Sequence, residues 1–278
     1  MTRRTPRRIA ILGSTGSIGQ AAVEIVLDSP EEFEVVGLTA GENDGLLVRQ
    51  LELFPGARFA MGSDEACGRV MSAGSDLGGR CAGPGREGML EIIECDPITL
   101  VLNALVGISG LVPTIRSLET GCDVALANKE SLVTGGEIIE KIRDDHGGGR
   151  VIPVDSEHFS LSRCLAGFEE DTVEIILTAS GGPFLGRKMK DLSEVSVSEV
   201  LDHPTWSMGR KVTVDSALLL NKGLEVIEAH WLFGFPYDAI GVVIHPQSMV
   251  HGLARLRDGS LLAHIGPADM RLPLMNAM

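Results

Sequence analysis

The stretch Ile152-Pro153-Val154-Asp155-Ser156-Glu157-His158 sets an apolar run against two carboxylates, a hydroxyl and an imidazole. Read as an extended segment, it sends Asp155 and Glu157 to the same side, because strand side chains alternate between faces. Hard oxygen donors converging at the carboxyl end of a strand could hold a divalent cation such as Mg²⁺ or Mn²⁺. Taken alone, these residues read more simply as a solvated, polar strand end. Farther along, an amphipathic pattern predicts a helix from about Ala217 to Phe233, with Leu220, Leu224 and Ile227 on its apolar stripe. Asn221, Lys222 and Glu225 share an edge of that helix. Glu225 could add a third carboxylate, with Asn221 and Lys222 reaching an anionic substrate. A solvated ion pair is the plainer alternative.

A second constellation lies near the start. Ile9-Ala10-Ile11-Leu12 reads as a buried strand and runs into Gly13-Ser14-Thr15-Gly16-Ser17-Ile18-Gly19, after which Ile18, Ala21, Ala22, Ile25 and Val26 repeat at helical spacing. Strand, glycine-rich turn and helix are the setting in which a dinucleotide pyrophosphate meets a helix N-terminus. The spacing G-x-x-G-x-x-G departs from the usual G-x-G-x-x-G, so a merely structural turn stays open. The next strand, Glu34 to Ala40, ends without an acid, which leans toward NADP, while Glu42 just beyond leans toward NAD.

The elements that position these residues alternate strand and helix. Further strands are predicted at Arg58–Met61, Ile98–Ala104 and Asp123–Ala127, the last ending in Asn128-Lys129-Glu130-Ser131. The residues from Gly74 to Gly88 lack apolar periodicity and read as a mobile surface loop. This alternation predicts a doubly wound parallel sheet, with ligands beyond the carboxyl ends of its strands. Gly13, Asn128 and Asp155 all fall at such ends and are expected to face one crevice. Asn128 to Ser131 also suit a plain polar helix start.

In the second half, Thr172 to Ala179 reads as a strand breaking into Ser180-Gly181-Gly182-Pro183-Phe184. The loop Asp202 to Arg210 carries Trp206 and Met208 between Pro204 and Gly209, suiting either a lid over a ligand or a loop pinned by apolar anchors. Ile240–Ile244 is a predicted strand, and Asp258-Gly259 marks a hairpin between Val250–Leu256 and Ser260–Ile265. His245, His251 and His264 lack the spacing of a helical metal site and are read as structural.

Composition bounds the reading. With 278 residues and a net charge of −14, the chain is not a general nucleic-acid binder. No run is long and apolar enough for a bilayer, and the basic start lacks a following apolar stretch, so neither membrane nor targeting segment is expected. The 5 scattered cysteines fit a reducing cytoplasm.

Together the motifs resemble the 1-deoxy-D-xylulose 5-phosphate reductoisomerase family. The resemblance rests on GSTGSIG at 13–19, ANKES at 127–131, VDSEH at 154–158, SGGPF at 180–184, HPTWSMG at 203–209, NKGLE at 221–225 and IHPQSMVHG at 244–252. It implies an α/β fold: a Rossmann-like NADPH-binding domain over 1–150, then an α/β catalytic domain over 151–278 with an open, partly antiparallel sheet. It also implies a homodimer. Thr15, Gly16, Ser17 and Ile18 would hold the NADPH pyrophosphate, with Gly41, Glu42, Asn43, Asn128, Glu130 and Gly209 completing the pocket. Asp155, Glu157 and Glu225 would bind Mg²⁺ or Mn²⁺, with Co²⁺ a further candidate. Lys129, Ser156 and Glu157 would engage the backbone of a small phosphorylated sugar. Ser180, His203, Ser216, Asn221 and Lys222 would grip its phosphate. Lys129, Asp155, Glu157, His203 and Glu225 form the implied catalytic set, and His203, Trp206 and Met208 belong to the implied lid. His158 is read as a helix-start residue.

The family reaction is a retro-aldol cleavage and re-aldol joining followed by hydride delivery from NADPH, giving 2-C-methyl-D-erythritol 4-phosphate. In this chain Glu42 stands where family members commonly carry a base, which weakens the case for a 2′-phosphate. The family's C-terminal helical domain has no counterpart in these 278 residues, which a truncated product, a fragment or an incomplete record would each explain; if they are the whole protein, exposed apolar surface and poor activity are expected. Competing readings are a nucleotide-binding module with little catalysis and a plain Rossmann reductase that does not isomerise.

Overall fold

The computed structural model describes residues 5–278 apart from 96, 147, 207 and 208. The chain divides into two compact units, Met1–Val154 with Arg271–Met278, and Asp155–Met270. The first unit alternates β1 (Arg7–Leu12), α1 (Ser17–Asp28), β2 (Phe33–Thr39), α2 (Asp44–Leu53), β3 (Arg58–Met61), α3 (Asp64–Ala73), β4 (Cys81–Pro84) and α4 (Gly85–Cys95). It continues through β5 (Leu100–Asn103), α5 (Leu111–Glu119), β6 (Asp123–Leu126), α6 (Lys129–His146) and β7 (Val151–Pro153). All its strands pair in parallel, in the order β4-β3-β2-β1-β5-β6-β7. Short strands such as Leu100–Asn103 are buried throughout, as expected for a sheet covered on both faces. The strand order reverses between β1 and β5, the switch point at which doubly wound sheets take ligands.

Residues 74–88 are not the mobile loop expected from their glycines. They form a 3-10 turn at Leu77–Arg80, the edge strand β4 and the start of α4. An edge strand joined through its backbone needs no apolar periodicity. Its approach is held by the Arg80 guanidinium, which donates to the carbonyls of Leu51, Phe54 and Ala57 at 2.8–3.1 Å.

The second unit holds α7 (Ser156–Leu165), β8 (Thr172–Ala179), α8 (Val197–Leu201), α9 (Arg210–Ala217), α10 (Leu220–Phe233), β9 (Ile240–Ile244), β10 (Val250–Leu256) and β11 (Leu261–Ile265). Its sheet runs β11-β10-β8-β9, antiparallel except for β8 with β9. The expected hairpin is present, with Gly259 at φ +90. Helices α7 and α10 share a core with this sheet, through Leu161, Leu165, Ile175, Leu177 and Ala229. Gly252 lets β10 lie close to α7, since a Cβ there would sit 3.1 Å from the Glu157 carbonyl.

Two boundaries differ from the sequence reading. The helix expected from about Ala217 begins at Leu220, after Leu219 with a left-handed φ of 56, and a separate helix, α9, precedes it and ends at Ala217. In addition, α11 (Arg271–Ala277) belongs with the first unit, where Arg7 donates to the Met278 carbonyl at 2.6 Å.

The turn after β1 depends on two glycines. Gly13 has φ +82, and a Cβ there would lie 2.8 Å from the Ala104 carbonyl oxygen at the end of β5. A Cβ on Gly19 would lie 2.3 Å from the Gly13 oxygen. Gly19→Ala should therefore cost about 1–3 kcal/mol by overpacking. Gly41→Ala, where an added Cβ meets nothing within 4 Å, should lie within about 0.5 kcal/mol of the parent. Unfolding midpoints of the two variants check this, and equal midpoints would refute the close-approach account.

Candidate active site

In the first unit, Gly16 caps α1 without any side-chain hydrogen bond, leaving the first N–H groups of the helix for another acceptor. Thr15, Gly16, Ser17 and Ile18 are half-buried to exposed along this turn. It is braced from beneath. Ser14 Oγ donates to Gln50 Oε1 at 2.7 Å, Gln50 Nε2 returns to the Ser14 carbonyl at 2.9 Å, and Gly13 N–H reaches the Thr39 carbonyl at 3.1 Å. This buried Ser14–Gln50 pair supports the turn and escaped the sequence reading, because Gln50 is merely one polar residue within a helical pattern.

The end of β2 presents Gly41, Glu42 and Asn43, with Asn43 capping α2 through the Leu46 N–H. Glu42 accepts from Ser63 Oγ at 3.0 Å and pairs with Arg69 at 3.2 Å. At the end of β6, Asn128 is buried and its amide is engaged by the protein. Nδ2 donates to the carbonyls of Leu105 and Gly107, and Oδ1 accepts from Ser131 N–H. Lys129 and Glu130 open α6 immediately after it. The plain helix-start reading of Asn128 thus describes its side chain.

In the second unit, Asp155, Glu157 and Glu225 bring one ligand atom each to within 4.8 Å of one another. The convergence expected at 155–157 is present, but strand alternation does not produce it. The strand stops at Pro153, and Asp155 is the N-cap of α7, its carboxylate accepting from Glu157 N–H at 3.1 Å. Capping turns both carboxylates toward the start of that helix, where its dipole favours negative charge. Glu225 comes from α10 and is only 1% exposed.

Neighbouring groups address these carboxylates. Lys222 Nζ donates to Glu157 Oε1 at 2.9 Å and to Glu225 Oε2. Asn221 Nδ2 donates to Glu225 Oε1, and its Oδ1 is buried with no hydrogen-bond partner among the described residues. Lys222 and Asn221, assigned by resemblance to a substrate phosphate, are thus engaged with the carboxylates. One ammonium offsets a single negative charge, so a divalent cation would match what remains. Ser156 donates to Glu157 Oε2, so Ser156 and Glu157 act as one group.

His158, passed over in the sequence as a helix-start residue, is fully buried and positions the cluster from behind. Nε2 donates to the Glu225 carbonyl at 2.9 Å, and Nδ1 lies 3.6 Å from Asp155 and 3.8 Å from Glu228. Its i,i+3 spacing from Asp155 was the available signal.

The remaining assigned residues also belong to the second unit. Ser180 Oγ pairs with His203 Nε2 at 3.0 Å, while His203 Nδ1 accepts from Trp206 N–H at 3.0 Å. That fixes the tautomer with the proton on Nε2, and burial holds the imidazole below its ordinary range. Gly181 and Gly182 both take positive φ, and a Cβ on Gly182 would lie 2.8 Å from the Ser216 carbonyl, so this turn seats against the end of α9. Gly209 caps α9. Trp206 packs edge-on against buried His251 at 5.7 Å, and Met208 lies outside the described residues.

A Rossmann-like α/β enzyme with a carboxylate centre able to hold a metal is the class that this fold and site define. Residues 9–136 match the description 1-deoxy-D-xylulose 5-phosphate reductoisomerase, and residues 151–233 match that family's C-terminal domain. The 1-deoxy-D-xylulose 5-phosphate reductoisomerase of Microcystis aeruginosa is 46% identical over 274 residues, covering 98% of this chain and 70% of that protein. A crystal structure of DOX-P reductoisomerase in complex with NADPH, fosmidomycin and magnesium superposes at a TM-score of 0.91 with 36% identity, covering 98% of this chain and 69% of that one. The Zymomonas mobilis enzyme in complex with NADPH gives 0.87 and 31%, covering 99% and 70%. The chain belongs to the 1-deoxy-D-xylulose 5-phosphate reductoisomerase family. An archaeal homoserine dehydrogenase, at 12% identity and a TM-score of 0.61, shares the fold alone.

Burial, and then the nearby charge of Glu225, push the Glu157 carboxyl up to about 8, with Lys222 opposing. Because the folded chain holds this proton longer than the unfolded chain does, the shift lowers stability as pH climbs from the ordinary carboxylate range to about 8. Ligation requires the proton to leave, so affinity for Mn²⁺ should rise about tenfold per pH unit below that value and level off above it. Calorimetric titration at neutral pH in buffers of different ionisation heat should find about one proton released per ion. Release of none would show Glu157 already ionised.

Proposed function

We propose that the chain catalyses the NADPH- and divalent-metal-dependent isomerisation and reduction of 1-deoxy-D-xylulose 5-phosphate to 2-C-methyl-D-erythritol 4-phosphate, in non-mevalonate isoprenoid biosynthesis. The convergence of Asp155, Glu157 and Glu225 beside Lys222 carries this reading. NADPH-bound and magnesium-bound relatives support it. The residues fit both groups: a glycine turn that a Cβ would fill beneath an uncapped helix, and a carboxylate set with the orphaned Asn221 Oδ1 beside it.

When bound, a divalent ion supplies Lewis-acid polarisation of the substrate carbonyl, and NADPH supplies hydride. Asp155, Glu157 and Glu225 would hold the ion, with Co²⁺ an alternative to Mg²⁺ or Mn²⁺. The Asn221 Oδ1 acceptor suits a substrate hydroxyl. Ser156, through its bond to Glu157, orients that carboxylate and can turn toward the sugar backbone. His203 with its proton on Nε2, together with Ser180 and Ser216, provides donors for a phosphate; Lys222 would have to exchange its carboxylate bonds to join them. Lys129 would stabilise oxyanion charge or relay a proton. Thr15 to Ile18, Gly41 to Asn43, Asn128, Glu130 and Gly209 would line the nucleotide pocket. Lid closure by the loop of His203, Trp206 and Met208 would exclude water.

Apolar residues exposed on the edge strands, Val242 to Ile244 and Leu261 and Ile265, support the homodimer proposal. Among the described residues no helix is long and apolar enough to cross a membrane. A reducing cytoplasmic setting is proposed from the free Cys67, Cys81, Cys122 and Cys164. Neither a nucleic acid nor a membrane is proposed as a partner.

NADPH oxidation is followed with 1-deoxy-D-xylulose 5-phosphate, with and without Mn²⁺, in the parent chain and in Glu225→Gln. Turnover should require the ion and fall about 10²-fold or more in the variant, as expected for a contribution of several kcal/mol. Metal-independent turnover would favour a plain reductase. NADPH binding with no turnover under any condition would favour a nucleotide-binding module.

A further inference from the structure

We infer that Arg69 is the cation that reads the 2′-phosphate of NADPH in this chain, with Glu42 an internal anion competing for the same donors. The inference rests on the proposed NADPH-dependent activity. In doubly wound sheets the adenosine ribose lies at the end of the second strand, where a carboxylate accepts from a 2′-hydroxyl and a guanidinium accommodates a 2′-phosphate. This chain has both groups there, in contact with each other.

The contact is set by the backbone. Gly62 N–H donates to the Gly41 carbonyl at 2.9 Å, joining the turn after β2 to the turn after β3. That places Ser63, the N-cap of α3, beside Glu42, where its hydroxyl donates to Oε1 at 3.0 Å. Arg69 on the same helix brings one guanidinium nitrogen to 3.2 Å from Glu42 Oε2 and Nε to 3.2 Å from Asp44. Side-chain exposure is 47% for Arg69 and 66% for Glu42. An ion pair so exposed contributes little and opens at little cost.

A phosphate dianion offers more acceptor oxygens than a carboxylate to the same guanidinium and hydroxyl, and charge-assisted bonds of this kind are the stronger ones. NADPH would therefore displace Glu42 from Arg69 and Ser63. NADH leaves the pair intact, with the Glu42 carboxylate placed to accept from the 2′-hydroxyl. Preference for NADPH follows, but less than Arg69 would give with a neutral residue at position 42. Asp44 retains Arg69 near the ribose in either state.

Dissociation constants for NADPH and NADH, from quenching of nicotinamide fluorescence without metal or substrate, test this. Calorimetry with adenosine 2′,5′-bisphosphate against AMP isolates the 2′-phosphate. Arg69→Ala should weaken NADPH about 10- to 100-fold and leave NADH within about 2-fold, as loss of a charge-assisted contact to one ligand predicts. Glu42→Ala should tighten NADPH several-fold and weaken NADH, and Arg69→Lys should fall between Arg69→Ala and the parent. Circular dichroism checks that the variants fold. Equal weakening of both dinucleotides by Arg69→Ala, or no change in either, overturns the inference, as does weaker NADPH binding in Glu42→Ala. A parent chain that binds neither dinucleotide overturns the NADPH reading as well, whereas NADPH binding indifferent to Arg69 overturns this inference alone.

Discussion

Carboxylates held within a few ångströms of one another and shielded from water repel strongly, and the second unit is built around managing that repulsion at Asp155, Glu157 and Glu225. Each is restrained by a different device. Asp155 is tied to the backbone as a helix cap, Glu157 sits in the first turn of the same helix, and Glu225 is gripped by Asn221 and Lys222 from one turn earlier on α10. His158 then joins the two helices, donating to the Glu225 carbonyl from the helix that Asp155 caps. Removing any one device leaves a like-charge contact without its counterweight. The break at Leu219, with its left-handed backbone, separates α9 from α10, the helix along whose edge Asn221, Lys222 and Glu225 lie.

The first unit solves the opposite problem, keeping positive partial charge available. Helix α1 starts on a glycine whose missing side chain cannot satisfy the N–H groups beyond it. The turn must then be stiffened by something other than a cap. Thr39 from the end of β2 and Gln50 from α2 supply that, bonding the backbone and hydroxyl of Ser14 from beneath.

How far the sequence could be read follows from the range of the forces involved. Local periodicity was sufficient for β1, β8, β9 and the β10–β11 hairpin, where burial or turn chemistry is decided within a few residues. It was insufficient at Asp155, because an extended run and a capping residue ahead of a helix present the same letters, and the capping partner, Glu157 N–H, is a backbone group. It also failed at 74–88, where pairing with β3 and the reach of Arg80 to carbonyls more than twenty residues earlier make the structure. Arg69 shows the same limit: Glu42 leans toward NAD in the sequence, because the cation that pairs with it lies on a later helix.

The side chains assigned to ligands divide by what they already hold. Ser180 and His203 bond each other, Lys222 bonds Glu157 and Glu225, and Glu42 bonds Arg69 and Ser63. A ligand arriving at such groups exchanges hydrogen bonds instead of adding them, so only the difference between old and new partners appears as affinity. Exchange of this kind favours anions of higher charge over the carboxylates they displace. It also keeps buried polar groups paired when no ligand is bound, which an active site assembled from lone charges could not do at tolerable cost. Asn221 Oδ1 is the exception, a buried acceptor that gives up nothing when a donor reaches it. A hydroxyl donated to that oxygen would add a bond without breaking one, and a ligand lacking the hydroxyl would leave the oxygen unpaired.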